Sequence, residues 1–294
     1  MAPANLRRGY LLGIAAYLIW GLFPLYFKQL AALDASEIVV HRLLGSAVFG
    51  ACLLMIWRHR GWWQALRAHP KRLTALAVSG LLVGSNWLLY VWAVNHEQML
   101  EASLGYYIHP LLNIVLGMLL LGERLRRLQW LAVALAAIGV LQQLWQIGSL
   151  PWISLALAAT FAFYGLIRKK TPVAALPGLM VETCMLLPIA LAWLFYHPEA
   201  QSSQAPFWSS ATALWLLAAG PLTLIPLIFF NAAAKHLPYT ALGFLQYLAP
   251  TMVLLLAVFI YQEPLSGPKL IAFGLIWAAL VVYSFDALRT FRRA

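Results

Sequence analysis

Apolar residues run through this chain in long stretches, each cut short by a knot of charge or by Pro, Gly and Ser. A helix needs about 20 predominantly apolar residues to cross the hydrocarbon of a bilayer. Breaking the chain at those knots predicts ten crossing helices, over residues 10–30, 37–57, 73–95, 101–121, 128–147, 150–168, 177–196, 211–234, 239–261 and 268–288. The connections are short. The longest fall at 58–72 and 197–210, and the second of these is polar, contains Pro and carries no Lys or Arg.

The pattern repeats. A shift of 140 residues lays Tyr107 on Tyr247, Pro110 on Pro250, Glu123 on Glu263 and Leu125 on Leu265, and it also matches Ala93 with Ala233 and His96 with His236. A shift of 144 lays Trp20-Gly21 on Tyr164-Gly165. Leucine matches mean little in apolar sequence, but Tyr-x-x-Pro followed by Glu at the same distance is specific. The expected fold is therefore an all-α integral membrane protein with ten transmembrane helices arranged as two inverted five-helix repeats, 7–147 and 150–288. Five is odd, so the second copy enters the membrane upside down. Secondary transporters often have this build, with the substrate site near the midplane between the halves.

Composition agrees. The chain has 294 residues, 63% of them hydrophobic and 10% charged, with a mean hydropathy of +0.80; soluble domains carry about a quarter charged residues. The net charge of +11 does not point to nucleic acid, because the cations lie in short breaks between apolar runs and form no continuous basic face. Basic loops stay in the cytoplasm. Of the 20 Lys and Arg, all but Lys28, Arg42 and Lys269 fall on one side if both termini are cytoplasmic. Arg168, Lys169 and Lys170 count there as boundary charges. The charged start followed by an apolar run through Leu33 reads as a retained first helix rather than a cleaved leader. Cys52 and Cys184 fit neither a disulfide framework nor a metal site. Trp57, Trp62 and Trp63 at one boundary, and Trp145, Trp152 and Trp208 at the other, read as aromatic belts. Glu37, Glu97 and Glu101 fall near the outer boundary and read as solvated.

Polar residues inside the spans carry the candidate chemistry, because charge in hydrocarbon is costly and usually faces a cavity or a partner. Arg42 and Glu182 are the two such charges, the first toward the outer side and the second toward the inner; both could also snorkel to the nearer boundary. Asn86, Trp87 and Tyr90 share one helical face, with Asn231 at a comparable place later; amides there serve equally as interhelical glue. Gly80-x-x-x-Gly84 reads as close helix packing. Pro110 and Pro250 are expected kinks, each freeing a carbonyl four residues back at a depth where only protein or a wet cavity satisfies it. Ser103, Tyr106, Tyr107, His109, Gln246 and Tyr247 surround them. No HExxH, GxSxG or Walker pattern appears, so an enzyme is not expected, nor any metal or cofactor.

The segments WGLFPLYFK (20–28), HRLLGS (41–46), NWLLYVWAVN (86–95), EASLGYYIHPLLN (101–113) and GFLQYLAPT (243–251) resemble the EamA family of the drug/metabolite transporter superfamily, and within it the RarD-type, chloramphenicol-sensitivity branch. His109 departs from the asparagine expected in that branch. The resemblance implies a multi-pass permease of the bacterial inner membrane that exports small amphipathic metabolites or drugs by alternating access, in exchange for protons. The expected substrate-binding residues are Arg42, Asn86, Trp87, Tyr90, Ser103, Tyr106, Tyr107, His109, Asn231, Gln246 and Tyr247. Glu182 is the expected proton carrier, because a buried carboxylate changes charge by taking up a proton. Expected partners are a small-molecule substrate and membrane lipid, with no nucleic acid; a homodimer is compatible with the sequence. The alternative class is a non-transporting membrane sensor or assembly protein.

Overall fold

The structure is a computed structural model that describes residues 3–57, 61–96, 98–147, 151–262 and 267–291. Glu97 and Glu263 lie outside the described residues. The helices are α1 (Pro3–Gly21), α2 (Phe23–Gln29), α3 (Ala35–Ile56), α4 (Trp62–Arg67), α5 (Pro70–Asn95), α6 (Met99–Leu121), α7 (Arg127–Ile147), α8 (Trp152–Lys170), α9 (Ala175–Tyr196), α10 (Ala211–Leu217), α11 (Ala219–His236), α12 (Tyr239–Gln246), α13 (Leu248–Phe259) and α14 (Gly267–Phe291). The described residues contain no strand. Three expected spans are broken rods: α1 with α2 around Leu22, α10 with α11 around Ala218, and α12 with α13 around Tyr247. The last break lies just before Pro250, whereas Pro110 sits inside an unbroken α6.

Among the described residues, nine helical stretches are long and apolar enough to cross a membrane. The tenth expected span corresponds to α8, which is fully helical but ends in Arg168, Lys169 and Lys170 and is not one of the nine. Its last turn is polar because it docks onto neighbouring helices.

The 140-residue shift reappears in the helix bounds. Ala35–Ile56 and Ala175–Tyr196 match at both ends, and Met99/Tyr239 and Arg127/Gly267 match as starts. A finer mark is the backbone. Gly122 ends α6 in the left-handed region at φ 67°, and its counterpart Gln262 holds φ 54° without being glycine. A non-glycine residue rarely adopts that conformation, so the shared chain path overrides local preference there.

Packing obeys the same two-fold logic. α1 lies on α11 as α8 lies on α5; α3 lies on α11 as α9 lies on α5; α6 meets α8 as α13 meets α1. The remaining large contacts join equivalent helices: α7 with α14, α6 with α12, and α3 with α9. α7 and α14 run antiparallel, since Arg126 bonds Asp286 at one end (Nε to Oδ2, 2.8 Å) while Gly139 faces Ala272 further along. α6 and α12 are antiparallel too, with Asn113 beside Gln246 and Gly117 beside Thr240.

Helix ends are fastened by side chains of other helices. Glu123, swung out by the turn at Gly122, accepts the backbone N–H groups of Tyr239 (2.6 Å) and Thr240 (2.8 Å) and so caps α12. An anion suits that end because the first N–H groups of a helix have no internal partner. At the ends of α8 and α11 the capping is reciprocal. Lys169 donates to the carbonyls of Ala234 (2.8 Å) and Leu237, and Lys235 donates to those of Arg168, Lys169 and Thr171. Each helix thus supplies the cation for the other's negative end.

Two carboxylates differ from expectation. Glu37 is buried rather than solvated, because the 197–210 segment folds down over α3 and the Ser202 N–H donates to Glu37 at 2.6 Å. His41 bonds the Ser202 hydroxyl at 2.8 Å in the same cover. Glu101 is partly buried. Cys52 and Cys184 are free thiols on the outer surface of the bundle.

α3 and α11 touch through glycine on both sides: a Cβ on Gly45 would sit 2.9 Å from the Cα of Gly220. Overpacking of that kind costs roughly 1–3 kcal/mol. Gly220→Ala is therefore expected to lower the unfolding temperature in detergent by several degrees. Gly274→Ala, where nothing lies within 4 Å, is expected to leave it level or raise it. Equal behaviour of the two variants in a thermal-unfolding assay would contradict the close approach.

Candidate functional site

Three polar zones lie along the interface between the halves. The first surrounds Arg42, in the second turn of α3. Its Nε donates to Thr223 Oγ1 of α11 at 2.9 Å. Its guanidinium carbon stands 5.9 Å from the ring of Phe23, 5.7 Å from Phe27 and 5.2 Å from Trp87. The phenols of Tyr26, Tyr106 and Tyr90 lie within electrostatic range of the charge. The described residues form two ion pairs, Arg126–Asp286 and Arg168–Glu182, and neither includes Arg42. Arg42 is only partly buried, and Tyr106, which shares its neighbourhood, is 51% exposed. This is a partly buried cation among aromatic rings.

The second zone is the crossing of α6 and α12. Asn113 Nδ2 donates to Gln246 Oε1 at 3.0 Å, and the Gln246 amide nitrogen meets His109 Nδ1. All three are buried, and Asn113 Oδ1 and His109 Nε2 have no hydrogen-bond partner among the described residues. Pro110 packs closely here, its carbonyl 2.7 Å from where a Cβ on Gly243 would lie. Tyr247, fully buried, donates to the Tyr107 carbonyl at 3.3 Å. The His109 ring stands edge-on to Phe161 (centroids 5.0 Å apart), which opens a cluster of Phe161, Trp20, Phe230 and Tyr17 between this zone and the next.

The third zone is a closed network at the opposite end from Arg42. Arg168 is fully buried, with Glu182, Ser79, Tyr164 and Asn231 around it. Arg168 Nε stands 3.4 Å from Glu182 Oε1 and donates to Asn231 Oδ1 at 3.2 Å, while Nη2 donates to the Ala175 carbonyl at 3.0 Å. Ser79 donates to Glu182 Oε1 at 2.5 Å, Tyr164 to Oε2 at 3.4 Å, and Asn231 Nδ2 to the Tyr164 hydroxyl at 2.9 Å. Four helices, α5, α8, α9 and α11, are tied at one point. Gly80 makes the approach feasible: its missing side chain leaves room for Glu182, whose Cα would be 3.4 Å from a Cβ there, and Gly84 does the same for Leu186.

Arg42 and Glu182 therefore do not meet. Asn86 is committed to helix packing, donating to the Leu157 carbonyl (2.8 Å) and Thr160 Oγ1 (2.9 Å) of α8. Trp87 and Tyr90 join the Arg42 zone, Gln246 and Tyr247 the crossing, and Asn231 the closed network. Tyr107 packs against Phe273 of α14 (5.5 Å), and Ser103 is exposed on α6.

Arg168 is the main correction to the sequence reading. Next to Lys169-Lys170 it reads as a boundary charge, yet the structure buries it because α8 stays helical through Lys170 and turns Arg168 inward onto Glu182. Ser79, Tyr164, Thr223 and Phe161 were also missed. Two of these had a signal: Ser79 stands beside Gly80-x-x-x-Gly84, and Tyr164 matches Trp20 in the repeat. Among the described residues no group of His, Cys, Asp or Glu could hold a metal ion.

An all-helical bundle whose described residues include nine helices long and apolar enough to cross a bilayer defines a polytopic membrane protein. The model of the EamA-like transporter family matches residues 7–143 and 150–285, and the chain belongs to that family. An uncharacterized transporter of Pseudomonas aeruginosa is 65% identical over 100% of this chain and 98% of its own. Protein RarD of Escherichia coli is 50% identical over 100% and 99%, and the chloramphenicol-sensitive protein RarD of P. aeruginosa is 33% identical over 97% and 96%. A solved crystal structure shares the fold, with a TM-score of 0.73 at 20% identity, covering 95% of this chain and 98% of that one.

Removing one partner of a buried ion pair costs roughly 3–5 kcal/mol, whereas removing both costs far less. Glu182→Gln and Arg168→Met are each expected to lower the unfolding temperature sharply, and the double variant to recover part of the loss. Additive losses in the thermal-unfolding cycle would show that the two groups do not interact.

Proposed function

We propose that this chain is a secondary transporter of the bacterial inner membrane, with both termini cytoplasmic, that exports small amphipathic solutes by alternating access in exchange for protons. Residues 7–147 and 150–288 are the two inverted repeats, with α8 as the sixth of ten spans. The observation that carries this reading is the contrast between the two ends of the interface. Arg168 and Glu182 are buried, while Arg42 is partly exposed. A binding surface open on one side and locked on the other is one of the two states that alternating access requires.

In this reading the solute lies between Arg42, Trp87, Tyr90 and Tyr106 at the open end and Tyr107, His109, Gln246 and Tyr247 at the crossing, with Ser103 at the outer rim. Asn86 and Asn231 hold the helices that form the walls. Glu182 carries the proton. Taking one up removes the negative charge that holds Arg168, loosens four helices at once and lets the inner end open. A solute then enters from the cytoplasm, and release of the proton to that side restores the ion pair and closes the gate behind it.

Extracellular metabolite profiles of deletion, overexpressing and Glu182→Gln overexpressing cells test this. Overexpression is expected to enrich a small set of amphipathic solutes in the medium, and the variant to fall back to the deletion level. Identical profiles for the deletion and overexpressing strains would refute export. Topology has its own check: a reporter fused after His197 should be active only outside the cytoplasm.

A further inference from the structure

Arg42 and Glu182 are 140 residues apart, the offset that relates α3 to α9 at both of their ends. The two halves thus carry opposite charges at one equivalent position. Their surroundings are not equivalent. Glu182 is answered by Arg168, Ser79 and Tyr164. Arg42 is answered by one neutral hydroxyl through Nε and by three aromatic faces. A guanidinium has five N–H donors in a planar fork suited to a carboxylate, and among the described residues no carboxylate forms an ion pair with this one. The inner end can close because its charges cancel. The outer end cannot close in the same way, since burying an uncompensated cation is unfavourable.

We propose that the transported solute carries a carboxylate on an apolar or aromatic body, and that its charge is the counter-ion with which the outer end closes over Arg42. The carboxylate takes the outer N–H groups of Arg42. The body packs on the rings of Phe23, Phe27 and Trp87, which an arginine stacked among aromatics already brings together. An empty site leaves Arg42 wet and the outer end open; an occupied one is neutral and able to shut. This inference rests on the transporter reading and adds its substrate class.

Three probes of one shape and different charge test it: phenylacetate, phenylacetamide and 2-phenylethylamine, titrated calorimetrically into the full chain in detergent. Phenylacetate is expected to bind at least about tenfold more tightly than the amide, and the amine most weakly. Arg42→Gln should remove the difference between acid and amide, and Arg42→Lys, which keeps the charge without the fork, should retain part of it. Lys170→Gln, an exposed cation elsewhere, should change nothing. Closure is read separately by maleimide labelling of Leu22→Cys, 42% exposed at the break between α1 and α2, in a Cys52→Ser, Cys184→Ser background; phenylacetate should slow labelling and the amide should not. Equal binding of the three probes, no saturation by phenylacetate below about 10 mM, or a preserved anion preference in Arg42→Gln would overturn the proposal. Phenylacetate binding without flux of any solute in proteoliposomes would remove the transporter reading and leave the anion site standing.

Discussion

Hydrocarbon offers no hydrogen bonds, so a charge carried into it must find its partner inside the protein. That constraint organises this chain. Arg168 and Glu182 would each be prohibitive alone; together with Ser79, Tyr164 and Asn231 they hold α5, α8, α9 and α11 at one depth. The same requirement explains the reciprocal lysine caps of α8 and α11 and the Glu123 cap of α12. The ion pair and the lysine caps tie helices of the second half to one another, and Ser79 and Glu123 join that half to the first. Apolar packing alone would not specify this arrangement, because lipid tails are as apolar as leucine.

The two-fold plan and the polar zones are separate layers of information. The plan was legible in the sequence because it depends on spacing: Tyr107/Tyr247, Pro110/Pro250 and Glu123 set a period that the helix bounds keep, even where Gln262 must adopt the backbone that Gly122 adopts easily. The crossing helices were legible because length and apolarity are local properties. The break at Tyr247 was legible as the kink expected at Pro250, whereas those at Leu22 and Ala218, just before Pro24 and Pro221, were not expected.

The site was legible only in part, for the same reason. Arg42 and Glu182 stood out as charges within apolar runs, and their burial or aromatic enclosure follows from that. Their partners did not stand out. Arg168 stands in a run with Lys169 and Lys170 and carries the same charge, and only the direction in which α8 turns it separates a solvated arginine from a fully buried one. Thr223 and Ser79 are ordinary residues in apolar helices whose role comes from what lies across from them. Glu37 erred in the opposite direction: near the boundary by position, it is buried because the 197–210 segment folds back over it.

Symmetry of the backbone sharpens what is asymmetric in the side chains. A strictly repeated transporter would have matching locks at both ends and would gain nothing from its solute in either. Here the equivalent positions 42 and 182 carry opposite charges, and His109 and Asn113 at the crossing face Gln246, whereas their own counterparts are Ala249 and Val253. The buried His109 Nε2 and Asn113 Oδ1 lack partners among the described residues, where α6 of one half crosses α12 of the other. The backbone plan is common to both halves, and these polar residues are where the two halves differ.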